Sequence, residues 1–467
     1  MTTNSNPDDE RRVQGRTISR RRTLRNLGIA GVGGMAGLAG CTGGGGDGGS
    51  SGDGGGDGGG GSSGDGGDGG EDGGGEGSGG SDGDGGSMSE PITIGLQADL
   101  TGVLASYGFW HQRVLEGYVE ELNSNGGIAG RDVELVVEDT ETDSKQGVQA
   151  MRKLVQSEGA DFVIGSQSSG VSIATNPLAK QLKVPYFPIG EAPSITGADS
   201  NRWVVRNNHS TGHAAIIAVQ YGLENLGSKW TIMYQDYAFG QQYRDWVKQE
   251  LEESDGEVLA EIAVPVGTSD LNSYLNKVPD DTEVLFNALV GPSALNFLKQ
   301  SADLGTPGSR LGPIASVEGV DVSGLDEGAE GASYVTMLPR EQSEFDNEHN
   351  RTLRQIARVD SSDEILNGGH YFVSYEALSW IRDAVEATGW ESADGNQAFI
   401  EWFEQGPSVE QSAAYPQGPK FFRGEDHQAF MDMFIEEISD GSLSVVQKVE
   451  VDSPTFDVQA NLSSQSF

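Results

Sequence analysis

Among its 467 residues the chain has one cysteine and only ten lysines against twenty arginines. Each scarcity excludes something. A lone Cys41 has no partner for an internal disulfide and cannot found a cysteine-based zinc site. Thirty basic against 71 acidic residues give a net charge of -41. Phosphate backbones are bound by clustered Lys and Arg, so this balance excludes a nucleic-acid partner. No H-E-x-x-H, G-x-S-x-G or P-loop pattern occurs, and the six histidines are scattered, so no catalytic centre, metal or cofactor is expected. His209 and His213 stand four apart without a third ligand nearby, and the reading for them is a surface or capping role.

Glycine is present in excess, with 70 in the chain. Gly43 to Ser87 alone holds 28 Gly, 7 Ser and 10 acidic residues, with no basic or apolar side chain. Nothing there offsets conformational entropy, so a disordered spacer is expected, with a span of about 35 to 40 Å. Before it, Ser19-Arg20-Arg21-Arg22-Thr23-Leu24-Arg25 precedes an uncharged stretch, Asn26 to Gly40, ending Leu38-Ala39-Gly40-Cys41. That stretch is too short and glycine-rich to span a bilayer, which takes ~20 apolar residues. It looks like a twin-arginine lipoprotein signal over 1–40, followed by a lipidated Cys41 and its tether over 41–87. A G-x-G-x-x-A spelling at Gly31 to Ala36 has no strand before it and is no dinucleotide loop. Residues 88–467 keep 58 acidic and 23 basic residues, a lysine-poor balance like that of proteins from strong brine, so a halophilic origin is expected.

From Met88 onward the pattern is strand then helix, repeated. Ile92 to Leu96, Val133 to Val137, Phe162 to Gly165 and Pro185 to Ile189 read as strands, separated by helical patterns around Val114 to Leu122, Gln146 to Glu158 and Val171 to Leu182. A second set follows. Helices at His213 to Leu226, Gln241 to Glu253 and Ser293 to Asp303 alternate with strands at Thr231 to Tyr234, Val258 to Val264 and Val284 to Phe286. Later helices over Phe345 to Arg358 and Tyr371 to Thr388, and a closing Val445-Val446 strand, join one set or the other. The class is α/β with parallel sheets, and ligands of such sheets sit beyond the carboxyl ends of the strands. The loop Leu100 to Gly108 and the run Ser166-Gln167-Ser168-Ser169-Gly170 lie there. Hydroxyls and N–H groups at that helix start suit either an anion or an ordinary N-cap.

Thr101-Gly102, Ala105, Tyr107-Gly108, Asn123 to Gly130-Arg131, Asp139, Asp143 and Ile164-Gly165 with Ser168-Ser169 together resemble the substrate-binding proteins of ABC importers of the branched-chain amino acid type. Tyr234-Gln235-Asp236, Phe239-Gly240, Val317-Glu318-Gly319, Glu330-Gly331 and Asp426-His427-Gln428 continue the likeness. The resemblance implies a type I periplasmic-binding-protein fold: two doubly wound lobes, a central ligand cleft and three crossovers. Lobe 1 is expected over 88–207 and 341–418, lobe 2 over 208–340 and 419–467. By the same resemblance Tyr107 and Phe239 are the cleft aromatics, Ser169 receives a ligand carboxylate, Glu318 its ammonium, and His370 takes the hinge-side aromatic position. Ser168, Gly190 and Asp236 complete the candidates, while Asp426-His427-Gln428 reads as structural.

Glu191 departs from the pattern, standing where a carboxylate contact is usual. Facing a ligand carboxylate at about 4 Å it would cost about 4 kcal/mol. It therefore points away, is protonated, or meets a ligand that is no simple amino acid, with amide, urea and amine open. The implied partners are a small amino-acid-like or amide ligand, an ABC permease with its ATPase, and the membrane through a lipid anchor. A monomer on the outer face of the cytoplasmic membrane is expected, with a signalling sensor as the alternative.

Overall fold

The computed structural model describes residues 16–17, 90–318, 322, 329–339, 348–359 and 370–467. Cys41, the leader around it, the tether and the first residues of the expected 345–358 helix lie outside these, apart from Arg16–Thr17 (β1).

A first α/β set runs β2 (Ile92–Ala98), α1 (Ala105–Ser124), β3 (Val133–Asp139), α2 (Ser144–Gln156), β4 (Phe162–Gly165), α3 (Ser169–Leu182) and β5 (Tyr186–Phe187). Its four strands are parallel, in the order β3-β2-β4-β5. The β2 residues are buried throughout, as strands covered on both faces must be. Asp143 caps α2 by accepting from the N–H groups of Lys145 and Gln146.

A second set follows: α4 (Thr211–Asn225), β6 (Lys229–Gln235), α5 (Ala238–Glu252), β7 (Glu257–Val264), α6 (Asn272–Leu275), β8 (Val284–Ala288), α7 (Pro292–Asp303), β9 (Ser309–Pro313) and β10 (Ser333–Thr336). Its parallel strands run β7-β6-β8-β9-β10, with the same reversal about the first strand as in the first sheet. The chain then returns to the first sheet. α8 (Glu348–Ile356) and α9 (Tyr371–Thr388) pack on α1, and α10 (Asn396–Glu404) packs on α9. Tyr118 of α1 stacks on Tyr375 of α9 at 4.0 Å, and Phe162 of β4 meets Phe399 of α10 at 4.7 Å.

A small antiparallel sheet, β11 (Ser408–Val409), β12 (Lys420–Arg423) and β13 (Gln428–Met431), leads back out. The hairpin β14 (Met433–Ser439) and β15 (Ser442–Glu450) then extends the second sheet antiparallel to β10, with β1 beside β15. Three passages between the sheets make the type I periplasmic-binding-protein fold. α10, β9 to β14 and the small sheet were not among the sequence-based expectations.

Candidate functional site

Each sheet reverses its strand order about its first strand, opening a crevice at the carboxyl ends of β2 and β4 in one and of β6 and β8 in the other. Asp99 follows β2 and is fully buried. Its carboxylate accepts from the hydroxyls of Ser166 at 2.6 and 2.7 Å and Thr140, and from the N–H groups of Gln167 at 2.9 Å and Ser168 at 3.3 Å. Burial pushes its carboxyl up, and those hydrogen bonds pull the other way. The N–H groups expected to help hold a ligand carboxylate are thus turned to the chain's own Asp99. Ser168 also caps α3, its hydroxyl accepting from Val171 N at 3.4 Å.

The Ser169 hydroxyl oxygen accepts from the N–H groups of Glu191 at 3.3 Å and Ala192 at 3.2 Å, which pins the loop after β5. Gly190 lets that loop come close: a Cβ there would lie 2.7 Å from Ser172 Oγ and 3.0 Å from Ser169 Cα. Glu191, at 1% exposure, turns inward. Its Oε1 pairs with His370 Nε2, and Gln167 Nε2 stands 3.5 Å away. Its Oε2 lies 3.4 Å from His209 Nε2. From the second sheet Glu318, just beyond β9, pairs with the other ring nitrogen of His370 and accepts the His370 backbone N–H at 3.3 Å. One imidazole therefore bridges two carboxylates from opposite sheets.

The charge states follow from this packing. Burial lowers the His370 pKa, but Glu318 and Glu191 outweigh it and push it up to about 10, so the ring is an imidazolium. Burial opposes the Glu191 anion, yet its imidazole neighbours hold the carboxyl below the ordinary value, so it is not protonated; at neutral pH the charge that does this is the His370 imidazolium. His209 itself is lowered to about 3 by burial and is neutral.

Tyr107 sets its ring edge-on to His370 at 5.5 Å, and its hydroxyl donates to Ala315 O at 3.4 Å across the cleft. Gln242 of α5 accepts from Ser194 N and donates to Ser194 Oγ, both at 3.1 Å, so the two halves touch here as well. Phe239 is buried between Tyr237, stacked at 5.9 Å, and Tyr243, edge-on at 5.0 Å. Burial and the nearby Glu191 push the Tyr237 phenol up, which keeps it neutral beside the cleft. Asp236 is exposed, and its carboxylate accepts from Gln241 at 2.9 Å, apart from the Glu191–His370–Glu318 chain.

Two expectations are corrected. His209 and His213 are buried rather than at the surface, and the ring of neither caps a helix; Ser210 caps α4 instead. The i, i+4 spacing carries no sign of what the fold does with His209, which is set beside the carboxylate of Glu191 from the loop after β5. Asp99, Tyr237 and His209 were missed. The available signal was an acid at a strand end opposite a Ser-rich helix start that needs an anion. Among the described residues no three His, Cys, Asp or Glu side chains stand so as to hold a metal, and no helix is long and apolar enough to cross a membrane.

The periplasmic binding protein family matches residues 91–442. Leu/Ile/Val-binding protein BraC3 of Rhizobium johnstonii is 30% identical over 224 residues, which are 47% of this chain and 60% of that protein. The chain thus spans less than two thirds of that relative. Leu/Ile/Val-binding protein homolog 6 of Brucella melitensis is 23% identical over 75% of this chain and 88% of its own. Among solved structures, the branched-chain amino acid transporter substrate-binding protein LivJ of Streptococcus pneumoniae, in complex with isoleucine, superposes with a TM-score of 0.65 at 18% identity, over 77% of this chain and all of its own. A solute-binding protein of an ABC transporter from R. palustris, in complex with benzoate, does so at 0.66 and 21%, over 77% and 96%. Two doubly wound sheets with their switch points facing one cleft, and a family match over most of the chain, lead to one statement: the chain belongs to the periplasmic binding protein family.

Proposed function

We propose that the chain is the extracytoplasmic solute-binding component of an ABC importer, closing its two lobes on a small nitrogen-bearing solute of amino-acid size. The observation that carries this reading is the meeting of Glu191 and Glu318, from opposite sheets, at His370 under Tyr107. Groups from both lobes at one point let closure depend on what lies between them. A solute that contacts both lobes favours the closed form by its differential contacts, and the closed form is then what a permease and its ATPase receive. The relatives named for Leu, Ile and Val binding support the size of the solute. Glu191 favours amides, urea or amines as a second reading, because it brings a negative charge to the wall where a carboxylate would lie.

A thermal-shift panel in strong salt with leucine, isoleucine, benzoate, acetamide, urea and 3-methylbutylamine tests the reading. A ligand at a hundred times its dissociation constant adds about 2.7 kcal/mol to stability. Ser169→Ala and Glu318→Ala should each reduce the shift of whichever compound gives one. An unchanged shift in both variants would refute this site.

We assign lobe 1 to 88–207 and 341–418 and lobe 2 to 208–340 and 419–467. The leader reading makes the protein a monomer anchored by lipid on Cys41 after twin-arginine export, with the Gly43 to Ser87 spacer between membrane and lobes. Cleavage before Cys41 would remove β1 with the leader. Mass spectrometry of the membrane fraction should find a lipidated N-terminal Cys41; a soluble chain still carrying Met1 would rule the anchor out.

A further inference from the structure

Among the described residues, one imidazolium in the cleft lies between two carboxylates. The side chains of Glu191 and Glu318 are both more than nine-tenths buried, and among the described residues His370 alone bridges them. Oε2 of Glu191 accepts no hydrogen bond among the described residues, although it is fully enclosed and His209 stands 3.4 Å away. Buried acceptors without donors are rare, and this one belongs to the carboxylate that meets His370 between the two sheets.

Part of the donor set that would greet an anion is engaged elsewhere. The N–H groups of Gln167 and Ser168 serve Asp99, and the Ser169 hydroxyl, whose oxygen accepts from two backbone N–H groups of the Glu191 loop, has only its own O–H left to offer. Arg206 lies behind that loop and gives its guanidinium to Ala192 O at 2.7 Å, Thr196 Oγ1 at 2.8 Å, Gln428 Oε1 and, at 3.4 Å, Gly190 O. The imidazole of His111 hydrogen-bonds Ser374 and Gln167, and burial keeps it neutral. Tyr107, edge-on to His370, and Tyr237 stand beside the carboxylates, and aromatic rings attract cations.

Resting on the solute-binding reading above, we propose that the recognised end of the ligand is a compact hydrogen-bonding cation, an ammonium or guanidinium group with no carboxylate beside it, seated against Oε2 of Glu191 and the carboxylate of Glu318. The imidazolium of His370 already occupies one side of the acid pair, and the ligand's cation takes the Oε2 of Glu191 that no hydrogen bond fills among the described residues. A zwitterionic α-amino acid brings its own carboxylate against Glu191, and an aromatic carboxylate brings nothing that either acid can accept.

Calorimetry on the full-length chain in strong salt, with two pairs of compounds that differ only by a carboxylate, tests this. The pairs are 3-methylbutylamine against leucine, and agmatine against arginine. The amine of at least one pair should bind about 100-fold more tightly than its carboxylated partner, and Glu191→Gln should reduce that ratio about tenfold or more. Glu318→Gln, checked for an unchanged fold by circular dichroism, should weaken the amine as well. Leucine or arginine binding as tightly as its decarboxylated partner, or urea, acetamide or benzoate binding while both amines are silent, overturns the cation assignment and leaves the solute-binding reading standing. Silence of all seven compounds counts against both.

Discussion

Lys420 and Glu376 have no access to water at all; their side chains pair with each other, and Lys420 Nζ lies 5.0 Å from the centre of the Phe372 ring. Burial pulls the lysine pKa down and pushes the glutamate pKa up, each against the partner that favours its charge. Such a pair is weak evidence for stability, but removing one member is costly because the other stays buried and unmatched. Lys420→Met should therefore lower the unfolding free energy by about 3 to 5 kcal/mol in urea titrations, and Lys420→Met with Glu376→Leu should recover most of it. A single variant as stable as the parent would remove the argument. Glu191 belongs to the same class of problem. Its misfit with a carboxylate-binding loop was legible in the sequence, but its solution, an imidazole 179 residues further on, was not, because nothing local to either residue encodes their meeting.

At the scale of elements, legibility followed period and burial. Gln241 to Glu253 was read from helical spacing and α5 spans Ala238–Glu252; Phe162 to Gly165 was read as a short apolar run and β4 coincides with it. The late hairpins escaped for physical reasons. All four residues of β13 are buried, so its Gln-Ala-Phe-Met sequence carries no alternation of apolar and polar faces. The turn before it is Gly424-Glu425-Asp426-His427, in which His427 takes φ of 53°, a conformation that Asn or Gly would have signalled and His does not. Asp426 pairs with Arg423, and Gln428 receives Arg206, so these residues hold the turn and the crossover together.

The whole molecule combines buried imidazoles of opposite kinds. His111, His209 and His213 are held neutral, with pKa values lowered to about 3 chiefly by burial. An unfolded imidazole titrates near ~6.5, so as pH falls below that value the unfolded chain takes up protons that the native chain refuses, and stability is lost down to about pH 3. His370 has the opposite sign. Its native pKa of about 10 means that its contribution is complete below ~6.5 and is lost as pH rises toward 10. Melting temperature at constant strong salt should therefore peak near neutrality and fall on both sides, and His370→Gln should flatten the alkaline limb. A melting temperature that climbs steadily from pH 7 to 10 would contradict the imidazolium assignment.

The path of the chain between its two sheets also sets a timetable. Phe162 of β4 and Phe187 of β5 are covered by Trp390, Phe399 and Phe403, which come from the return passage through α9 and α10. About 180 residues separate β5 from α9, most of them building the other sheet. At synthesis rates of ~5 to 20 residues per second, the first sheet leaves the ribosome roughly 10 to 40 s before its own cover is made. The half of the protein that is translated first is thus among the last to be completed, and in that interval its apolar face is the surface that a nascent-chain chaperone would meet.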